Sequence, residues 1–267
     1  MKKCSMKRIT GLALILACSV AVLFANGSKE NSDDPLAKLK AKGKLSVGCK
    51  VDVPSFGYKN INTGEIEGFE IDLAKAVAKH IFGDENAIEF TAVTAKTRGP
   101  LLDTGELDLV AATFTVTEER KNSWDFSTIY YVDAVAIMVK KDSPFTLFKA
   151  LDGKTIGVAQ SATTKKSLDA GAKEAGISLK YSEYATYPEI KVALDSGRVD
   201  AFSVDFAILN GYLEDSCKLL DERFAKQDYG MAVKKGNTAL LDAVNGTIDE
   251  LSKSGELDSL LVKWGLK

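Results

Sequence analysis

Two rhythms of apolar and polar residues alternate along this chain. Short β-type runs cover Leu45 to Cys49, Ile88 to Val93, Leu109 to Ala112, Val135 to Val139, Thr155 to Ala159 and Val199 to Val204. Stretches with helical spacing lie between them. From Phe69 to Phe82 the apolar residues Ile71, Ala74, Val77, Ala78 and Ile81 mark one face of a 3.6-residue repeat. Brief strands separated by helices argue for α/β layers around mostly parallel sheets.

An internal repeat sharpens that expectation. Leu102 to Leu109 reads LDTGELDL, and Leu194 to Ala201, 92 residues later, reads LDSGRVDA. Each reads as a helix end, a glycine stop and a strand, because a helix stop favours a left-handed residue. Gly43 to Val47 (GKLSV) similarly echoes Gly153 to Gly157 (GKTIG). Two echoes in the same order predict two similar α/β lobes. Ligands of open α/β sheets bind beyond the carboxyl ends of strands. Followed to equal depth, the matched strands end near Thr113 and Asp205, which should face each other across an interlobe cleft able to close.

The N-terminus follows another pattern. Lys2, Lys3, Lys7 and Arg8 precede a nearly continuous apolar run from Leu12 to Ala25. A membrane span takes roughly 20 apolar residues, so the run reads as a secretory signal peptide, cleaved after Ala25. Ile15-Leu16-Ala17-Cys18 is a competing lipoprotein box that would anchor the chain through Cys18. Asn26 to Pro35 is a polar tether. The chain after Ala25 has 31 basic and 37 acidic residues, a net charge of −6, which offers nothing to nucleic acid. Hydrophobic residues at 45% and charged ones at 27% exclude a disordered or fibrous chain. Cys49 and Cys217 are too few and too distant for a disulfide framework, and the lone His80 excludes a His-rich metal site.

Several motifs together resemble the periplasmic solute-binding proteins of polar amino-acid ABC importers. They are Val47-Gly48, Gly68-Phe69-Glu70-Ile71-Asp72-Leu73, Thr113 to Arg120 (TFTVTEER), Phe126-Ser127 with Tyr130-Tyr131, Gly197 to Ala201, and Lys263-Trp264. Asp52-Val53-Pro54, Ala95 to Leu102, Ala159-Gln160 and Ala162 to Lys166 resemble the aspartate/glutamate-binding branch. The resemblance implies a two-lobed type II periplasmic-binding-protein fold, with two α/β sandwich lobes joined by two crossing hinge segments near Tyr131 to Ala134 and Tyr229 to Met231. Residues 1–25 would be the signal peptide, 26–42 a linker and first helix, 43–132 with 230–267 lobe 1, and 133–229 lobe 2. It further implies a periplasmic monomer without catalysis, cofactor or metal, working with an ABC permease in the inner membrane.

The resemblance also assigns ligand-binding residues. Arg120 would grip the α-carboxylate with two parallel bonds, which lysine cannot reproduce. Asp205 would accept the α-ammonium while also suiting a helix N-cap. Thr113 and Thr115, alternating along a strand end, would add oxygens and backbone groups. Thr163 opens a helix whose free N–H groups suit a carboxylate. Its setting, Ser161-Ala162-Thr163, lacks one hydroxyl of the family's usual Gly-Ser/Thr-Thr. Tyr229 would offer its hydroxyl to the ligand or pack in the hinge. Lys50 and Arg98 would bind a side-chain carboxylate, and Phe56 would pack within its lobe rather than stack on the ligand. Lys50, Arg98 and Arg120 against Asp205 leave about +2, and buried unpaired charge costs several kcal/mol. That sum points to glutamate or aspartate; binding of glutamine or another polar amino acid, or surface adhesion, is the alternative.

Overall fold

Helix α1 (Pro35–Lys42) is the first element of the computed structural model, which describes residues 35–267. The expected signal peptide, its cleavage site and Cys18 lie outside the described residues. The chain continues through β1 (Leu45–Cys49), the short strands β2 (Asp52–Val53), β3 (Gly57–Lys59) and β4 (Ile66–Glu67), α2 (Phe69–Phe82), β5 (Ile88–Ala92), α3 (Arg98–Thr104), β6 (Leu109–Ala111), α4 (Glu118–Lys121) and β7 (Trp124–Phe126). It crosses on β8 (Tyr131–Lys140) into β9 (Thr155–Ala159), α5 (Thr164–Ala175), β10 (Lys180–Tyr184), α6 (Tyr187–Asp195), β11 (Ala201–Asp205), α7 (Phe206–Gly211) and β12 (Cys217–Leu219). It returns on β13 (Phe224–Tyr229) to β14 (Ala232–Lys234), α8 (Thr238–Ser254) and α9 (Glu256–Lys263).

Among these residues the first lobe carries a five-stranded sheet in the order β5-β1-β6-β14-β7. The second carries β10-β9-β11-β8-β12, with β13 also paired to β8. In each sheet the first three strands are parallel and the next is antiparallel. β8 and β13 pair from Phe224↔Val135 to Tyr229↔Tyr131, so the two crossings form one antiparallel ribbon. α8 packs on α1 and α2, completing the first lobe, and both α2 and β1 bury apolar side chains in its core. β1 is buried along its whole length, as a parallel strand covered on both faces should be.

The repeat is real at the backbone. Gly105 and Gly197 take left-handed φ of 80° and 72° after α3 and α6, which a side chain would strain. Three residues later in each lobe, Asp108 accepts the Ser46 N–H at 2.8 Å and Asp200 accepts the Thr155 N–H at 2.8 Å. The same aspartate thus ties the start of the neighbouring strand in both lobes. Several expected strand boundaries shift, among them β8, which runs over Tyr131–Lys140 rather than Val135 to Val139. The predicted strand from Val199 begins at Ala201, because the residues before it complete the turn, and β6 stops at Ala111, short of Thr113. Cys49 and Cys217 are buried free thiols, and burial pushes Cys49 up to about 12. Among the described residues no helix is long and apolar enough to cross a membrane, and no cluster of metal-ligating side chains occurs.

Candidate functional site

Thr113 follows β6 in a left-handed turn with φ of 46°, a conformation costing a non-glycine residue roughly 1–2 kcal/mol. It therefore does not alternate with Thr115 along a strand, as the sequence suggested. Its turn is held from both sides. The Thr113 N–H donates to Glu70 Oε1 at 2.7 Å, while Arg98 Nη1 donates to the Ala112 carbonyl and, at 3.0 Å, to that of Thr113. The Thr113 hydroxyl is buried without a well-formed hydrogen bond, although the Tyr187 phenol lies near enough to feel it. Ser55 and Ser161 are the other described non-glycine residues with positive φ, at 69° and 61°, and the Ser161 carbonyl meets Arg120 across the cleft. Strained backbone of this kind gathers at binding sites.

Three cations from the first lobe meet here. Arg98 and Arg120 place their guanidinium carbons 4.0 and 4.8 Å from the centroid of the buried Phe114 ring. Such contacts favour cations over the ring's electron-rich face. Arg120 Nη1 donates to the Thr115 carbonyl at 2.7 Å and Nη2 crosses the cleft to the Ser161 carbonyl at 3.1 Å. Burial and the neighbouring Arg98 bring Arg120 down to about 9. Lys50 is buried, 2.9 Å from Asp52 Oδ1 and 4.6 Å from the Tyr187 ring centroid. Its burial lowers the ammonium, and Asp52 opposes that shift.

The second lobe supplies the opposite charge. Asp205 ends β11 and begins α7, but its carboxylate does not cap that helix. It accepts the Tyr229 hydroxyl at 2.5 Å instead. Burial raises Asp205 to about 7, against the pull of Tyr229, Arg98 and Arg120. Tyr229 thus addresses Asp205, and its ring also packs edge-on to the buried Phe56, 5.7 Å away. The hydroxyl expected to face the ligand is thus taken by Asp205, while the ring packs among the residues of the crossing. Phe56 packs on Phe69 of its own lobe and also on Tyr131 and Tyr229 of the two crossings.

Thr115 and Thr163 converge on a residue the sequence reading missed. Their hydroxyls donate to Gln227 Oε1 on β13 at 2.8 and 2.7 Å. Each hydroxyl proton is committed to Gln227, leaving lone pairs to accept from a ligand. Thr163 is the N-cap of α5 without a side-chain cap bond, so the helix end it opens keeps its backbone donors. The structure therefore gathers Lys50, Arg98, Thr113, Thr115, Arg120, Thr163, Asp205 and Tyr229 around one interlobe cleft. It adds Asp52, Glu70, Tyr187 and Gln227. Asp52 and Glu70 stood inside recognised motifs and signalled themselves only there. Tyr187 and Gln227 arrive by folding from the second lobe and the crossing, with no local signal.

The cleft is closed. Besides Arg120 to Ser161, Asp52 Oδ2 accepts the Tyr187 N–H at 3.4 Å, and the Asp52 carbonyl accepts the Tyr212 hydroxyl. Buried charges of both signs converging between two closing lobes define a binding protein for a small polar solute. Residues 45–267 match the bacterial extracellular solute-binding proteins, family 3, and the chain belongs to that family. The glutamine-binding protein GlnH of an ABC transporter of Bacillus subtilis (strain 168) is 38% identical, covering 97% of each chain. A glutamine-binding protein of Geobacillus stearothermophilus is 39% identical over 84% of this chain and 91% of its own. The solved structure of an ancestral arginine-binding protein bound to arginine superposes with a TM-score of 0.75 at 37% identity, covering 83% of this chain and 98% of that one. These findings uphold the solute-binding family and the two-lobed type II fold. The family is one of solute binding rather than catalysis.

Proposed function

We propose that the protein captures a polar α-amino acid, glutamine foremost, outside the cytoplasmic membrane and presents it to an ABC permease. It acts as an exported monomer, with lobe 1 and lobe 2 divided as the sequence motifs imply. Arg120 takes the α-carboxylate, helped by the open end of α5. Asp205 takes the α-ammonium, helped by the oxygens of Thr113, Thr115 and Thr163. The ligand side chain extends toward Lys50, Asp52 and Arg98.

The observation that carries glutamine is the buried Lys50–Asp52 ion pair, 2.9 Å apart. Lys50, Arg98 and Arg120 outnumber Asp205 taken alone. With Asp52 and Glu70 included, three cations face three carboxylates, and a zwitterion with a neutral carboxamide leaves that balance intact. A carboxamide also donates and accepts, matching the two charges of the pair. Relatives named for glutamine support the same ligand.

One observation favours glutamate or aspartate as the second reading. Arg98 Nε is buried without an acceptor, and burial holds both Glu70 and Asp205 near 7. Partial protonation of those carboxylates leaves positive charge for a side-chain carboxylate to meet. Calorimetric titration of ligand-stripped protein with glutamine, glutamate, aspartate and arginine separates the readings. Glutamine should bind at least tenfold tighter than either acidic amino acid. Tighter glutamate or aspartate overturns the glutamine reading, and silence with all four overturns the amino-acid reading.

A further inference from the structure

Glu70 belongs to the framework of the first lobe, yet it reaches both the ligand turn and the hinge. It is fully buried in the first turn of α2. Its Oε1 accepts the Thr113 N–H at 2.7 Å and also the Tyr130 hydroxyl. Tyr130 immediately precedes the crossing strand β8, and its own N–H donates to the Tyr229 carbonyl on the return strand at 3.1 Å. One carboxylate oxygen therefore joins the left-handed Thr113 turn to the point where the chain leaves the first lobe. Arg98 holds the carbonyl side of the same turn, so the peptide around Thr113 is gripped at its N–H by Glu70 and at its carbonyls by Arg98.

We propose that Glu70 is a positioning residue for solute capture: its reach holds Thr113 in the strained turn that aims the hydroxyl into the cleft, and ties that turn to Tyr130 at the hinge. The proposal rests on the reading of the cleft as an amino-acid site. Both donors that Glu70 Oε1 accepts are groups of the protein itself, so it acts through them. Its length matters more than its charge, because the two donors it satisfies need an acceptor at one point in space. An acceptor withdrawn by one methylene leaves the Thr113 N–H unsatisfied and the strained turn unsupported.

The test uses the full-length exported protein with two conservative replacements, Glu70→Gln and Glu70→Asp. Glutamine keeps the reach and an accepting oxygen; aspartate keeps the charge and loses the reach. Two readouts are taken: amide hydrogen exchange at Thr113 without solute, and the Kd for whichever amino acid the wild type binds best. The expected result is Glu70→Gln within about threefold of wild type on both. Glu70→Asp should exchange Thr113 at least tenfold faster and bind at least tenfold more weakly. Unchanged exchange and binding in Glu70→Asp overturn the proposal. So does Glu70→Gln as weak as Glu70→Asp, which would assign charge rather than position. A lower melting temperature in Glu70→Asp with unchanged Kd also overturns it, leaving a purely structural residue. If the wild type binds no amino acid, the reading of the cleft fails, and the exchange rates still decide whether Glu70 holds Thr113.

Discussion

The two lobes are built alike and charged unlike. Each begins a strand tied by an aspartate from the repeat, Asp108 to Ser46 in one and Asp200 to Thr155 in the other. Each presses a glycine in that strand against the matched residue, Gly48 against Leu107 and Gly157 against Val199. Each is joined to the hinge by a tyrosine that donates to a buried carboxylate, Tyr130 to Glu70 and Tyr229 to Asp205. At the matched strand ends the likeness stops. The first lobe offers Thr113 with Lys50, Arg98 and Arg120 behind it; the second offers Asp205. In the proposed pose Arg120 of one lobe and Asp205 of the other grip opposite ends of a zwitterion, so neither lobe alone holds it fully and binding favours the closed form.

The largest way to break this division is to remove a charge from one side. Asp205→Asn should weaken solute binding about 100-fold or more, since truncating one partner of a buried, hydrogen-bonded charge pair costs about 2–5 kcal/mol. Arg120→Lys should cost less, about tenfold, because it keeps the charge and loses the paired donors. Calorimetry on folded variants checks both. Equal, small losses would mean that one lobe alone holds the solute.

Asp52 sharpens the comparison because it trims the positive lobe. Asp52→Asn leaves Lys50 uncompensated, and the ratio of glutamate to glutamine affinity should rise about tenfold, a difference of about 1.4 kcal/mol. An unchanged ratio in competition titrations would remove Lys50 and Asp52 from the side-chain end of the site.

Protons act on the negative lobe. Asp205 is raised to about 7 by burial, and it faces Arg98, Arg120, Tyr229, Tyr187 and Asp133. A carboxyl raised in the fold contributes stability that is complete below its unfolded value and is lost as pH rises through about 7. Glu70, also raised to about 7, contributes with the same sign. Ammonium binding needs Asp205 ionised, so affinity should fall by up to tenfold per unit as pH drops below about 7, with a proton released on binding. Titrations in buffers of different ionisation enthalpy measure that proton directly; none released at pH 6 would contradict the assignment.

The smallest test probes the likeness itself. A Cβ at Gly48 would lie 2.6 Å from Leu107, and one at Gly157 would lie 2.6 Å from Ile190. Gly48→Ala and Gly157→Ala should each cost about 1–3 kcal/mol in urea unfolding, as overpacked sites do. A variant with no loss would show that its strand can shift where its counterpart cannot.

Much of this was legible in the sequence because it is local or repeated. The period of α2, the runs of β1 and β9, and the glycine stops at Gly105 and Gly197 depend on neighbours in the chain. The offset between the repeats led to Thr113 and Asp205, although Asp205 ends its strand and Thr113 lies in a turn two residues beyond its own. The charge balance was not legible. Asp52 lies two residues from Lys50, but only the fold turns it back into an ion pair. Glu70 reads as one more polar position near a helix start until the turn at Thr113 folds against it. Gln227 collects Thr115 and Thr163 from segments 112 and 64 residues away, a meeting no local pattern encodes.

The central claim is that Asp205 in one lobe holds the ammonium of a solute whose carboxylate is held in the other. The most direct measurement compares glutamine with its analogue lacking the α-amino group, on the wild type and on Asp205→Asn. Removing the amino group should weaken wild-type binding about 100-fold and Asp205→Asn binding by less than threefold, because the two deletions remove one contact. Equal losses in both proteins would show that the ammonium is held elsewhere and contradict the account.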